Sequence, residues 1–423
     1  MPEVEVRGFV EEIRDLGGLK FVQVLTGGGH KQITINKNSI DPKMLKDFDS
    51  LTRQSCIRVI GEEKPMPKGN GTEVIPKSLE VFTIAATPLP LEPTGKTPAD
   101  PDTRFRWRFL DLRDEKKHLI FRVATDFEKM TRDYFAKQDM IEIHTPKLLG
   151  AASEGGAEVF SLPYFGREAY LAQSPQFYKQ MAICSGMEKV FEIAPVFRAD
   201  PSFTYRHVTE FISLDVELGY IKSYKDVMKF EEKWLRYVIA KLEKKWGNEV
   251  KQKLGVGIEV PKTPFPKIKI TQAYDIIEQA GLPVERGGDL SSDGEKEIGK
   301  YAKEKLNSDF VFITDYPSTV RPFYHMRPER NQKTTYSYDL LYKGLEITTG
   351  AQREHRHDKL KAQAVEKGLQ IHNLEFYLDF FKYGAPPHGG FGFGAARIIM
   401  LLLGQKNVKE VSFVPRDPKT LFP

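Results

Sequence analysis

The sequence has 423 residues, enough for two or three domains, and its 40% hydrophobic and 29% charged content is too apolar for a disordered chain. Sixty-three Lys and Arg against 58 Asp and Glu leave a net +5, which permits a polyanionic partner without demanding one. Cys56 and Cys184 belong to no Cys/His cluster, the apolar run 398–403 is far short of the ~20 residues that span a bilayer, and MPEVEVRGF lacks a signal-peptide layout; a disulfide framework, a thiolate zinc site and a membrane span are excluded, and a cytosolic protein is expected.

In chain order, residues 4–13, 20–25, 31–35, 57–63 and 79–84 read as strands, with Gly17-Gly18 and Gly27-Gly28-Gly29 as turns between them. This pattern over residues 1–86 predicts an OB barrel, although other small β-barrels share it. Residues 87–101, TPLPLEPTGKTPADP, carry five prolines and favour an extended connector. We set a hinge over 87–115 and a larger domain over 116–423. There, Ile120, Val123, Phe127, Met130 and Tyr134 recur at helical spacing within 116–138. A strand over 140–145 stops at Pro146. Helices are predicted over about 224–245 and over 271–281, the second with Thr271 as N-cap and Gly281 as stop; both fall in a helical insertion at about 221–300. Strands follow at 309–314, 336–342 and 345–349, then helices at 373–383 and 395–403, closed by Gly384 and Gly404. Hairpin-linked strands with helices to one side predict an antiparallel α+β domain.

Three clusters in the larger domain can carry chemistry. In the first, Val196-Phe197-Arg198-Ala199-Asp200 precedes Arg206-His207 and Glu210-Phe211, so that two guanidinium forks can face a phosphate chain. Alone, such a turn is an ordinary surface salt-bridge site. The second is Gly389-Gly390-Phe391-Gly392-Phe393-Gly394, with Arg397 on the next helix. Alternating glycines leave one sheet face bare for a flat ring, and no βαβ unit surrounds them as a Rossmann fingerprint requires. The third places Asp339 and Glu346 on consecutive strands, with Thr349 and Arg353 beyond. Oxygen ligands near phosphates are how Mg²⁺ is held, although strand carboxylates are as often simply exposed.

The order of these clusters changes their meaning. Helix, strand and Pro146, then FRAD…RH…EF, then GFGFGAAR resemble motifs 1, 2 and 3 of a class II aminoacyl-tRNA synthetase. EIHTPKLLGAASEGGAE, SPQFYKQ, SLDVE, GLEITTGAQREHRHD, KYGAPPHGGFGFG and PRDPKTLFP are similar to the aspartyl-tRNA synthetase family of archaeal/eukaryotic type, along essentially the whole chain.

That resemblance implies an ATP-dependent, AMP-forming aspartate–tRNA ligase. Aspartyl-adenylate forms first, and its acyl group then passes to the 3′ end of tRNA-Asp, with tRNA-Asn as a further acceptor left open. Phosphoryl chemistry of this kind needs charge neutralisation and in-line placement more than a protein nucleophile. By similarity, Arg198 bridges the substrate carboxylate and the α-phosphate, and Arg198, Glu346 and Arg397 are the catalytic set. Ala199, Asp200, Arg206, His207 and Val208 line one wall of the ATP site, with Arg206 on the γ-phosphate. Gly394, Ala395, Ala396 and Arg397 form the other wall. Glu346, Asp339 and Thr349 hold Mg²⁺. Lys179 and Arg353 take the aspartate side chain, Gln176, Thr349 and Glu154 fix its remaining polar groups, and Asp215 takes the ammonium. Two cations on one carboxylate reject a neutral amide, and asparaginyl enzymes usually lack a lysine where Lys179 stands. The Glu154-Gly155-Gly156 loop is suited to closing over the substrate. In the barrel, Phe21 stacks an anticodon base while Arg14, Gln32 and Glu73 read base edges. Residues 1–86 hold 12 basic against 12 acidic side chains, so this domain is no basic magnet. Contacts near Glu11 and Lys68–Gly71 would decide between tRNA-Asp and tRNA-Asn. Two departures stand out: Ala396 replaces a usual acidic residue of motif 3, and Asp200 a common glutamate of motif 2. Motif 1 implies a homodimer around Pro146. The alternatives are an asparagine–tRNA ligase and a catalytically silent RNA-binding paralogue.

Overall fold

The structure is a computed structural model that describes residues 2–67, 71–150, 158–202 and 204–422. Contacts divide the chain into two compact units, Met1–His118 and Leu119–Pro423. The Pro-rich segment, where the sequence suggests a hinge, therefore groups with the barrel.

In the first unit, β1 (Glu3–Leu16), β2 (Leu19–Thr26), β3 (Gly29–Asn36), β4 (Cys56–Pro65) and β5 (Thr72–Thr83) close into a barrel of order β1-β2-β3-β5-β4. That closure is the OB topology. A register shift between Val10 and Glu12 lets β1 pair β4 with its first half and β2 with its second. Alternation sends Val6, Val10, Val22, Val24, Ile33, Ile35, Ile57, Val59 and Val74 inward. The sequence reading missed α1 (Pro42–Asp49), which Asp41 caps by accepting from Met44 N and which brings Phe48 into that core.

The segment after the barrel forms α2 (Pro101–Arg106) and α3 (Arg108–Asp111), where Asp111 is buried among Arg104, Arg108 and Lys117. The chain continues through α4 (Glu115–Lys137), β6 (Ile141–Glu142), the small antiparallel sheet of β7 (Leu148–Leu149), β8 (Ser161–Tyr164) and β9 (Arg167–Leu171), and α5 (Gln176–Cys184). Then come β10 (Lys189–Phe197), β11 (Glu210–Gly219), α6 (Tyr224–Leu254), β12 (Lys267–Lys269), α7 (Ile270–Gln279), α8 (Ser292–Leu306), β13 (Phe310–Thr314), β14 (Ser337–Tyr342), β15 (Leu345–Gln352), α9 (His357–Glu366), α10 (Glu375–Lys382), β16 (His388–Phe393) and α11 (Ala395–Leu402). Eight strands make one sheet in the order β12-β13-β14-β15-β16-β11-β10-β6, antiparallel except at its two ends. The strand expected over 140–145 pairs only at Ile141 and Glu142. Thr145 instead hands its N–H and hydroxyl to Glu192, at 2.6 and 2.8 Å. Helix α7 starts one residue before Thr271, because Gln272 accepts from Lys269 N and makes Lys269 the N-cap.

Long helices α4 and α6 cover one face of this sheet. Trp234, on α6, stacks on Phe391 and meets Phe393 edge-on, and Phe127 of α4 stacks on Phe393. Each buried ring contributes about 2–3 kcal/mol. Helix α6 therefore belongs to the core and is no peripheral insertion. The alternation of β16 now has a cause: its phenylalanines face the helices, and Gly390 and Gly392 face the opposite side.

Candidate active site

The bare side of the sheet is set by register. Gly392 lies between Thr349 of β15 and Asp215 of β11, and Gly390 between Ala351 and Glu217. A Cβ on Gly390 would stand 2.3 Å from Glu217 Oε2 and 2.0 Å from Val216 O, so only glycine lets the carboxylate lie over β16. A cavity of about 400 Å³ opens above this face.

Arginines dominate its wall, and most are already paired. Arg353, 2% exposed, donates from Nε and Nη2 to the two oxygens of Glu217, at 2.9 and 3.3 Å, and from Nη1 to His325 Nε2 at 3.1 Å. Lys179 reaches Asp215 Oδ1 at 2.9 Å, Phe391 O at 3.1 Å and Glu217 at 3.5 Å. The two cations expected on one substrate carboxylate thus meet on a protein carboxylate, Glu217, which the sequence reading passed over although it sits two residues from Asp215 in SLDVE. Asp215, expected to take the ammonium, has its other oxygen on Ser213 Oγ at 2.6 Å. Gln176 lines the cavity, while Lys179 lies just behind the wall.

Toward the other end, Arg206 Nη1 sits 2.7 and 2.8 Å from the two oxygens of Glu295, and Glu295 Oε2 also accepts from Glu346 N at 2.9 Å. Arg206, expected on a γ-phosphate, is therefore held by a carboxylate from α8, and its Nε has no partner among the described residues. What brings α8 so close is a glycine contact: a Cβ on Gly299 would fall 2.4 Å from Gly344 in the β14–β15 turn. Burial, with repulsion from Glu346, pushes the Glu295 carboxyl up, and Arg206 opposes it. Glu346 is pulled the other way: burial disfavours its charge, but Arg397, Arg321 and Arg206 outweigh burial and hold it below the usual range. Thr349 Oγ1 donates to Glu346 Oε1 at 3.1 Å, and Arg397 Nη1 to Glu346 O at 2.7 Å.

Asp339 does not join Glu346 as an open oxygen ligand. It is buried, paired to Arg321, which stacks on Tyr316, and desolvation raises its carboxyl. Among the described residues no group of three or more His, Cys, Asp or Glu is arranged to hold a metal. One ionised carboxylate backed by a hydroxyl does fit Mg²⁺ that arrives with a polyphosphate, since that ion takes few protein ligands. Asp200, His207, Val208, Gly394 and Ala396 line the same cavity, with Ala199 and Ala395 adjoining. Burial lowers His207, and Ser202, His207 and Arg198 overcome burial to lower Asp200. Arg198 differs from the other cavity arginines. Its guanidinium lies over Phe211, 5.4 Å from the ring centre, and it has no ion pair with the described residues. Glu154 and its loop, with Lys68–Asn70, lie outside the described residues.

A family model described as tRNA synthetases class II (D, K and N) matches residues 100–418. The chain belongs to that family. An "Aspartate--tRNA(Asp/Asn) ligase" of Aeropyrum pernix is 46% identical over 422 residues, covering 99% of this chain and 95% of its own. An "Aspartate--tRNA(Asp) ligase" of Pyrococcus horikoshii is 44% identical, with 99% and 96% covered. Among solved structures, an asparaginyl-tRNA synthetase from Pyrococcus horikoshii with asparaginyl-adenylate superposes with a TM-score of 0.90 at 30% identity, covering 100% of this chain and 96% of that one. A putative aspartyl-tRNA synthetase from Leishmania major gives 0.87 at 30%, covering 100% and 92%. The fold is thus shared by both amino-acid specificities, and side chains must separate them. No described helix of the synthetase is long and apolar enough to cross a membrane.

The barrel residues singled out from sequence also come together. Arg14 is the register partner of Phe21, Phe21 of Thr34, and Gln32 of Glu73. Phe21 is absent from the packed core. Glu73 Oε2 accepts from Thr34 Oγ1 at 2.6 Å and Gln32 Nε2 at 3.4 Å, and Arg14 pairs with Glu12 at 2.7 Å.

Proposed function

We propose that this synthetase activates L-aspartate with ATP and ligates it to tRNA-Asp. The observation that carries the reading is Arg198, a guanidinium with no carboxylate partner among the described residues, in the cavity that Arg353, Glu346 and Arg397 also line. An α-carboxylate oxygen of aspartate attacks the α-phosphorus of ATP. The bond from that phosphorus to the bridging oxygen breaks, and pyrophosphate leaves. Arg198 neutralises both the incoming carboxylate and the charge growing on the α-phosphate. Arg397 and Arg206 hold the outer phosphates, with Arg206 shared between Glu295 and the nucleotide. A tRNA ribose hydroxyl then attacks the acyl carbon and AMP departs. Mg²⁺, held through Glu346 with Thr349 behind it, would neutralise phosphate charge; Asp339 stays with Arg321.

Aspartate selectivity follows from charge balance more than from two bare cations. Lys179 and Arg353 each already contact a protein carboxylate, so an added side-chain carboxylate shares donors that an amide nitrogen would oppose. On the barrel, the anticodon would meet the Arg14–Phe21–Gln32–Glu73 face. A homodimer through motif 1 is supported by the exposed Ile141 and Leu148 flanking Pro146 beside the edge strand β6.

ATP–pyrophosphate exchange with each amino acid tests the specificity: aspartate alone should support it, and an asparagine-only response would end the assignment. Aminoacylation of purified tRNA-Asp and tRNA-Asn then decides how many acceptors the enzyme uses.

A further inference from the structure

We propose that His388 and Gln180 are positioning residues that fix which end of the Gln176 amide faces the amino-acid substrate, so that its carbonyl oxygen accepts the substrate's α-ammonium. The inference rests on the aspartate-ligase reading and deepens it.

The chain of constraints starts at a backbone carbonyl. His388 is fully buried at the start of β16, and its Nδ1 lies 2.8 Å from Pro386 O, which can only accept. Nδ1 therefore carries the proton. Burial pushes the imidazole down to about 4, against the pull of Glu217 and with Arg353 and His355 adding to the push, so the ring holds that single proton near neutral pH. Nε2 is then an acceptor, and the Gln180 side-chain nitrogen, 2.9 Å away, donates to it.

With its nitrogen committed, Gln180 turns Oε1 the other way. That oxygen accepts from Tyr377 OH at 2.9 Å and from Gln176 Nε2 at 2.8 Å, and both its lone pairs are used. Gln176 precedes Gln180 by four residues on α5, which puts the two side chains on one face. Gln176 must present Nε2 to Gln180, so Oε1 is the remaining end of a cavity-lining side chain and makes no hydrogen bond to the described residues. Flipping this amide would set two carbonyl oxygens against each other inside the protein, an arrangement that costs both of them a donor. An uncommitted acceptor at this wall suits a cation. The nearby carboxylate of Asp215 already accepts from Lys179 and Ser213, which leaves the ammonium in need of another oxygen.

Two measurements test the relay. In wild-type enzyme with ¹⁵N-labelled histidine, NMR should show His388 protonated on Nδ1 and bare on Nε2 at pH 7; an Nε2–H tautomer would reverse every amide in the chain and overturn the proposal. Calorimetry then compares L-aspartate with succinate, which keeps both carboxylates and lacks the amine. In Gln180→Met, aspartate should bind at least tenfold more weakly, with succinate binding and the KM for ATP moving less than twofold; His388→Asn should shift the same ratio. Equal weakening of aspartate and succinate, or no change in either, would show a merely structural role. Should wild-type enzyme fail to bind aspartate at all, the substrate reading falls, and the tautomer result still judges the relay by itself.

Discussion

The barrel face and the cavity over the large sheet are built on opposite plans of charge. Residues 1–86 carry no net charge, and the whole excess of five falls in the rest of the chain. The barrel face sets the Phe21 ring beside two polar groupings, Gln32–Glu73–Thr34 and Arg14–Glu12. The cavity instead gathers cations that are almost all matched by protein carboxylates: Lys179 with Asp215, Arg353 with Glu217, Arg206 with Glu295, Arg321 with Asp339. The cavity's own charges are thus largely balanced, and among the described residues Arg198 alone of its lining arginines has no carboxylate partner.

If that unmatched charge is what the cavity is built around, removing it should have the largest effect. Arg198→Ala should lower kcat for aspartate-dependent pyrophosphate exchange about 10³-fold, with ATP binding changed only a few-fold, because the lost interaction grows in the transition state. Equal losses in ATP binding and kcat would make Arg198 an ordinary phosphate contact. Lys179→Met comes next. It removes a buried charge-assisted donor, and kcat/KM for aspartate should fall about 10²-fold with little change for asparagine. A melting curve taken alongside separates recognition from folding, since Asp215 loses its cation. Neither substitution should alter tRNA binding at the barrel.

The barrel side of the comparison predicts a smaller and separable effect. Phe21→Ala should raise the KM for tRNA about tenfold, in line with the ~1–3 kcal/mol of a stacked base, and leave pyrophosphate exchange untouched. A variant that aminoacylates normally would return Phe21 to the role of a barrel surface residue.

Much of this architecture is written locally in the sequence, and what is not has a physical cause. Strand-length alternation and glycine turns mark the barrel, and FRAD, GLEITTGAQR and GFGFGAAR place their residues around one cavity. Glu295 was invisible because SDGEKEIGKYAKEKL has the composition of a solvated helix; only the backbone approach of Gly299 to Gly344 drives its first turn into the site. Glu217 is hidden from a sequence reading because a lone strand carboxylate is normally exposed, and here the missing side chain of Gly390, its register partner on the neighbouring strand but far off in sequence, makes room for it. Asp339 fails as a metal ligand for a related reason: its partner Arg321 comes from the loop after β13, and no spacing announces the pair.

The two units also differ in how they bury a carboxylate, and this sets the last and smallest effect. The first unit buries Asp111 among three cations, Arg104, Arg108 and Lys117. The sheet of the catalytic unit instead buries Glu231 of α6, which accepts from Tyr338 OH at 2.8 Å with Thr348 beside it. Burial raises the Glu231 carboxyl from 4.5 to about 8. Between those values the folded protein keeps a proton that the unfolded chain has released. Stability from this group is complete below pH 4.5 and declines as pH rises toward 8, by about 1.4 kcal/mol per pH unit. Glu231→Gln keeps an oxygen for Tyr338 and removes the titration. Urea unfolding of the catalytic unit from pH 5 to pH 9 should show a shallower decline in the variant, which overtakes wild type at the alkaline end. Parallel curves would mean that Glu231 is ionised in the folded state and that its charge is met by a cation the buried network does not display.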